Sequence, residues 1–435
     1  MVRRRARVFA GLVSIVVAAS SAAACILPDF TVVAADVPDT GGSEGGGGDA
    51  GPSDDATAQP DGALVCPANT GDCDRNPANG CETDLLVTTA HCGVCDRSCA
   101  GAACENGDCK VERLVSALKQ PFGLEVAGPR LVWHESESIS GCRTADCMAS
   151  KAILVDINGS LASMPTGTLS PRQIAVEGGR FYYADCLPAA NADCGVSSCD
   201  IAGCKFTGGT AVVPFNGNRR AMVLVSGVGG IFTHHGLDGL IRTALPSGPT
   251  SGENLKYGIG DQLQAFYSGA THVVWLDDNA SQANPIGGVF VVAPAGGAAT
   301  RILPPPVKHL AVDSAVAFTS TGGAAANAAS IVGCEVAGCS SAGTILAGNQ
   351  PYVSDIAADA TAVYWSVVGA ADPRTNTTPV GAVMRCARPA CAGGPTRIAD
   401  GLLNPVSVRI DATHVYWLER GAPAMPTGAV SRKRR

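Results

Sequence analysis

Beyond residue 109 the chain alternates short apolar, β-branched and aromatic runs with breaks rich in Gly, Pro and Asp, and one run recurs. Arg130-Leu131-Val132-Trp133, Arg180-Phe181-Tyr182-Tyr183, Gly230-Ile231-Phe232, His272-Val273-Val274-Trp275, Val316-Ala317-Phe318, Ala362-Val363-Tyr364-Trp365 and His414-Val415-Tyr416-Trp417 align on their last aromatic residue. That residue falls at 133, 183, 232, 275, 318, 365 and 417, in steps of 50, 49, 43, 43, 47 and 52. Units repeating at a period in the forties predict propeller blades, and the spacing of apolar runs inside each unit predicts four strands. In the sixth copy these are Val353 to Ala358, Val363 to Val367, Gly381 to Cys386 and Pro395 to Ala399, with a tight turn at Asp359-Ala360-Thr361. The fold class expected for residues 110–435 is therefore all-β, a seven-bladed β-propeller.

The seventh copy begins at Asn404-Pro405-Val406-Ser407-Val408 and runs out at Ala429-Val430-Ser431-Arg432, one strand short. Val111 to Leu118 resembles the outer-strand segment Thr396 to Leu403, and each leads into a new unit. The first segment is thus expected to complete the last blade, which removes an exposed sheet edge. Cys-x4-Cys spacing recurs at Cys142/Cys147, Cys199/Cys204, Cys334/Cys339 and Cys386/Cys391, and it predicts staples across a hairpin tip between third and fourth strands. Cys186 is assigned to Cys194, because pairing Cys194 with Cys199 would strand Cys204.

The other end of the chain reads as an address. Arg3, Arg4, Arg5 and Arg7 precede an apolar core from Val8 to Ala19, and small residues lead to Ala22-Ala23-Ala24-Cys25. Residues 1–25 have the grammar of a secretory signal, and the apolar stretch is too short to span a bilayer. The Ala-Ala-Ala-Cys end resembles a bacterial lipobox, which implies that Cys25 is acylated and becomes the first mature residue. The alternative is cleavage after Ala24 that leaves Cys25 a free thiol. Of 19 Cys, lipidation of Cys25 leaves an even number for bridges in an oxidising compartment. Ile26 follows where lipoproteins retained at the inner membrane often carry Asp, so the resemblance implies outer-membrane delivery. Residues 26–65 form a Gly-, Pro- and Asp-rich linker without Lys or Arg, expected to be extended and disordered.

Residues 66–109 hold eight Cys, too short a segment for a sufficient hydrophobic core and thus expected to carry about four disulfides. Zinc ligation by Cys92, Cys95, Cys99 and Cys104 is the competing reading. Asp72-Cys73-Asp74-Arg75-Asn76-Pro77 begins like a calcium loop, but Pro77 stands where such a loop needs Gly. Asn79-Gly80-Cys81-Glu82-Thr83-Asp84, followed by His91-Cys92-Gly93-Val94-Cys95 and Cys99, resembles a module found in myxobacterial surface lipoproteins, which implies location more than chemistry. The propeller repeats resemble those of such lipoproteins and, more loosely, YWTD propellers. Tyr364-Trp365 and Tyr416-Trp417 carry that likeness, though Ser366-Val367 and Leu418-Glu419 replace the Thr-Asp.

Composition narrows function mainly by exclusion. With 46% hydrophobic and 16% charged residues the chain can bury a core, and its formal charge of -7 argues against nucleic acid as a partner. Zincin and P-loop motifs are absent, and the only Gly-x-Ser-x-Gly string, from Gly41 to Gly45, falls in the linker. His134, Asp185 and Asp277 follow the aromatic position and are the candidate ligands for calcium or another divalent ion at one propeller face. His272 and His414 occupy an interchangeable turn-flanking position, and Arg432-Lys433-Arg434-Arg435 reads as a solvated, frayed end. The function expected is that of a lipoprotein anchored in the outer membrane, facing the periplasm or cell surface, whose propeller is a binding scaffold for an extracellular protein or glycan. A metal-dependent propeller hydrolase or lyase of the lactonase kind is the alternative, and an inert envelope component a third reading.

Overall fold

The computed structural model describes residues 64–135, 138–156, 174–177, 179–186, 194–201, 210–213, 221–227, 230–235, 239–244, 253–255, 263–269, 271–277, 287–293, 298–313, 315–322, 329–339, 342–369 and 376–435. The signal segment, Cys25, the linker to residue 63 and Cys204 lie outside these residues. The chain is all-β, with a disulfide-rich N-terminal region and one short helix, Cys147–Ser150, among the described residues. No helix among them is long and apolar enough to cross a membrane.

The cysteine-rich region has almost no sheet, only the pairs Thr70–Gly71 with Thr83–Asp84 and Cys104–Glu105 with Asp108–Cys109. Four disulfides hold it: Cys66–Cys81, Cys73–Cys95, Cys92–Cys104 and Cys99–Cys109. Their sulfurs are also its core, since Cys92, Cys99, Cys104 and Cys109 pack with Ala102 into one buried cluster. All the cysteines that suggested zinc are consumed by bridges.

After Cys109 the described residues form seven four-stranded antiparallel sheets, each a simple meander except where the chain ends meet. Their first strands are Phe122–Ala127, Ile174–Glu177, Ala221–Gly227, Leu263–Ser268, Val307–Val312, Val353–Ala358 and Pro405–Ile410. We number the sheets 1 to 7 in that order. Each first strand lies against the first strand of the next sheet, and that of sheet 7 lies against that of sheet 1. The sixth sheet continues with Ala362–Val367, Gly381–Ala387 and Thr396–Leu402, so its outer strand runs further than the sequence suggested.

The second strands explain why the aromatic position repeats. Successive side chains of a strand point to opposite faces, and in a sheet packed on both sides both sets must be apolar. In sheet 6, Val363 and Trp365 pack on Phe318 and Ile331 of sheet 5, whereas Tyr364 packs on Val408, Val415 and Trp417 of sheet 7. Sheet 7 repeats this, turning Tyr416 and Leu418 toward Leu131 and Trp133 of sheet 1. Trp133, Trp275, Trp365 and Trp417 are all at most 1% exposed, and each such burial contributes roughly 2–3 kcal/mol of transfer free energy. Glycines let the sheets close up: a Cβ on Gly381 would lie 2.5 Å from Pro405, and one on Gly428 2.4 Å from Pro121.

Sheet 7 runs Pro405–Ile410, His414–Glu419, Gly428–Arg434 and then Glu112–Leu118, so the segment after the cysteine-rich region supplies its outer strand. Arg432 pairs with Glu112 at 3.0 Å and Arg113 with Glu419 at 3.2 Å across that closure. The C-terminal basic run is thereby corrected: it is strand, not a frayed end. Lys433 is buried against Asp108 and the carbonyl of Ile398. Arg435 lies over the Tyr364 ring and pairs with Asp359. Counting charges in the sequence missed this because their carboxylate partners lie far away along the chain.

Candidate functional site

Antiparallel strands place the joins between strands 1 and 2 and between strands 3 and 4 at one end of every sheet. The joins between strands 2 and 3, and from strand 4 to the next sheet, fall at the opposite end. The two ends differ. At the first, the strand 1–2 joins are all short, from two residues (128–129) to four (269–272), and the strand 3–4 joins run only from seven (293–299) to nine (201–209). At the second, the strand 2–3 joins range from three residues (135–137) to thirteen (368–380), and the sheet-to-sheet joins from two (351–352) to seventeen (157–173).

The uniform end is also the fastened one. Disulfides Cys142–Cys147, Cys334–Cys339 and Cys386–Cys391 staple its strand 3–4 tips, each worth about 2 kcal/mol by loop entropy. Cys199 is disulfide-bonded, and Cys186 and Cys194 face each other in register. In the strand 1–2 turns of sheets 5, 6 and 7, Asp313, Asp359 and Asp411 each accept two backbone N–H bonds at 2.7 to 3.0 Å. Hydrogen-bonding to the charged form outweighs burial and holds the Asp359 and Asp411 carboxyls below their ordinary range. Arg388 reaches from sheet 6 to Asp313 of sheet 5 and over Phe318, at 4.9 Å from its ring centre. Arg435 makes the equivalent clamp one sheet on, and its Nε donates to the Tyr364 hydroxyl at 3.0 Å.

Between the first strands lies a cavity of about 240 Å3. One repeat position lines much of it, the residue that follows the register partner of each aromatic: Glu125, Ala175, Tyr267, Val312, Ala357 and Arg409. Arg409 of sheet 7 donates to Glu125 of sheet 1 from Nη2 at 2.8 Å and Nε at 3.1 Å, and to Asp355 of sheet 6 from Nη1 at 2.6 Å. Burial disfavours its charge, but attraction to the two carboxylates prevails and raises its pKa above the ordinary arginine value. Asp355 Oδ2 also accepts from Val408 N, and Ser407 Oγ accepts from Leu124 N at 3.4 Å, so polar contacts tie sheets 6, 7 and 1 where the ring closes. Sequence reasoning passed over these residues. The signal was a single charge inside each apolar first strand, Glu125 within Leu124 to Val126 and Arg409 within Val408 to Ile410.

The metal candidates sit on different sheets: His134 on sheet 1, Asp185 on sheet 2 and Asp277 on sheet 4. His134 is 1% exposed beside Phe122, with no hydrogen-bond partner among the described residues on either ring nitrogen, and burial lowers its pKa to about 3. Asp277 is buried, and the Asp185 side chain is not described. Two residues after the aromatic, the position of Asp185 and Asp277, sheets 1 and 7 carry Glu135 and Glu419. Glu135 accepts from Trp133 Nε1 and Lys119 N, and Glu419 from Leu403 N at 2.9 Å, so there the carboxylate caps the entry into the sheet. Among the described residues, three ligand atoms come within 4.8 Å of one another at Cys92/Cys99/Cys109, all disulfide-bonded, and at Asp72/Asp74/Glu82. The latter oxygens accept from the amides of Asn76 and Cys73 and from Asn79 Nδ2. His91 Nδ1 accepts from Asp96 N at 3.0 Å.

No family model and no curated protein matches the chain. Solved structures of β-propeller proteins resemble it at the level of fold. The AfRom2 CNH domain matches with a TM-score of 0.46 at 10% identity, over 74% of this chain and 98% of that one. YCF48 from Cyanidioschyzon merolae matches with a TM-score of 0.46 at 8% identity, again over 74% and 98%. The computationally designed Ika8 protein gives a TM-score of 0.45 at 11% identity, over 76% and 88%.

Proposed function

We propose that the protein is a lipid-anchored outer-membrane lipoprotein whose seven-bladed propeller binds an extracellular protein or glycan with the end that carries the strand 2–3 and sheet-to-sheet joins. The observation behind this reading is the confinement of length variation to that end, while the opposite end is uniform, capped by Asp turns and stapled by disulfides. Variable connections on a rigid scaffold suit recognition, because a surface can change there without disturbing the core. The acylated Cys25 supplies attachment and the acidic linker supplies distance from the membrane.

The test is a binding screen of the full-length protein against secreted proteins and surface polysaccharides of its own cell envelope. Replacing 368–380 by a three-residue join, or 157–173 by the three residues 304–306, is expected to weaken binding at least tenfold. Exchanging 388–395 for 336–343 at the stapled end leaves it unchanged. Loss of binding confined to the stapled-end exchange refutes the assignment of the face.

A further inference from the structure

We infer that the cysteine-rich region is the lock of the ring closure: it holds the closing strand, Glu112–Leu118, against sheet 7 in the place where the other sheets have a covalent hairpin tip. This concerns the closure alone and stands apart from what the variable end binds.

The argument begins with what sheet 7 lacks. In sheets 1 to 6 the outer strand follows the third through a tip at the uniform end, and in sheets 1, 5 and 6 a disulfide staples that tip. In sheet 7 the third strand, Gly428–Arg434, has no such tip, because its outer strand comes from the other end of the propeller sequence. Register sets Glu112 opposite Arg432 and Leu118 opposite Gly428, so the closing strand can peel from its Glu112 end one pair at a time. Two register shifts leave only four paired positions, and Ala117 takes a left-handed φ of 58°, which a Cβ disfavours. A strand held by so few pairs is prone to local opening.

The cysteine-rich region grips that end in two ways. Cys109 bonds to Cys99, and its register partner Cys104 bonds to Cys92, so both strands of the hairpin Cys104–Glu105 and Asp108–Cys109 are fixed to the buried sulfur cluster. Lys110 N donates to the Ala103 carbonyl at 2.8 Å and carries that pairing almost to Glu112. From this hairpin Asp108 pairs with Lys433 of the third strand, whose Nζ also donates to the Ile398 carbonyl on the outer strand of sheet 6 at 2.9 Å. Arg97 donates to the other Asp108 oxygen at 3.0 Å. Burial opposes the Asp108 charge, but Lys433 and Arg97 prevail and hold its carboxyl below the ordinary range. The Lys433 side chain is 11% exposed, so losing that carboxylate leaves a largely buried charge uncompensated. Val111 packs on the core between sheets 6 and 7, and Glu112 pairs with Arg432, which seats the entry to the closing strand beside this contact.

The test is hydrogen exchange, read by mass spectrometry on the full-length oxidised protein. Asp108→Asn keeps the shape and removes the charge, and it is expected to speed exchange of the 112–118 amides about tenfold. The outer strand of sheet 5, 344–350, keeps its rate and serves as the internal control. Cys99→Ser/Cys109→Ser, which frees the chain just ahead of the closing strand, is expected to speed 112–118 at least as much. Asp108→Asn alone decides if the double variant fails to fold. Unchanged exchange in 112–118, or an acceleration shared equally by 344–350, overturns the inference.

Discussion

His134 offers a sharp test of the packing, because it places a titratable ring where the repeat calls for a hydrocarbon. It follows the aromatic of sheet 1, and the same position holds Leu276 in sheet 4 and Leu418 in sheet 7, both fully buried. The ring has no partner among the described residues at either nitrogen and a pKa lowered by burial to about 3. The unfolded chain titrates this group at about 6.5, so between the two values the unfolded state binds the proton and the folded state does not. Stability from this group is therefore full above pH 6.5 and falls by about 1.4 kcal/mol per pH unit as pH drops toward 3, a total of roughly 5 kcal/mol. His134→Leu removes that dependence along with two buried, unpaired polar atoms. At pH 7 the variant is expected to be more stable by about 1–3 kcal/mol. At pH 5 the gap widens by a further ~2 kcal/mol. Denaturant midpoints of the two proteins at pH 7 and pH 5 measure both quantities, and groups common to both, such as His414, cancel in the difference. Parallel loss of stability on acidification would show that His134 is neither dry nor unpartnered, and would refute the reasoning.

Four further outcomes follow from the same geometry. Arg409→Met leaves the Glu125 and Asp355 carboxylates without their cation and is expected to cost about 3–5 kcal/mol in chemical unfolding; a cost under 1 kcal/mol would mean that the triad is well hydrated. Removing the guanidinium by Arg435→Ala strips the clamp on Asp359 and Tyr364 and should cost about 1–3 kcal/mol, with hydrogen exchange accelerated in the 359–361 turn, whereas unchanged exchange would restore the frayed-end picture. Gly428→Ala pushes a methyl into Pro121 and the Glu419 carbonyl, so the closure should loosen by roughly 1–3 kcal/mol, read as earlier proteolysis within 110–118. Cys25→Ala is expected to move the protein from the detergent phase to the aqueous phase in Triton X-114 partition, and retention in detergent would remove the lipid anchor from the proposal.

The sequence by itself determined the elements. The seven aromatic positions marked the second strands because a sheet covered on both faces demands apolar side chains on alternate sides, and that demand is local. The even set of cysteines, their Cys-x4-Cys spacing and the likeness of Val111 to Leu118 to an outer strand were local as well, since a hairpin tip or a strand copy is written in consecutive residues. What only the tertiary structure decided depends on residues that meet across sheets. The basic C-terminus read as solvated because nothing beside it neutralised it, yet its partners Glu112, Asp108 and Asp359 arrive from other parts of the chain. His134 looked like a ligand because it follows a conspicuous aromatic, but burial beside Phe122, set by the packing of neighbouring sheets, is invisible in the string. Glu125 and Arg409 are 284 positions apart and became a pair when sheet 7 came to rest on sheet 1. Charge pairing and cavity shape are properties of the closed arrangement, fixed by which strands become neighbours, and no single strand's sequence contains them.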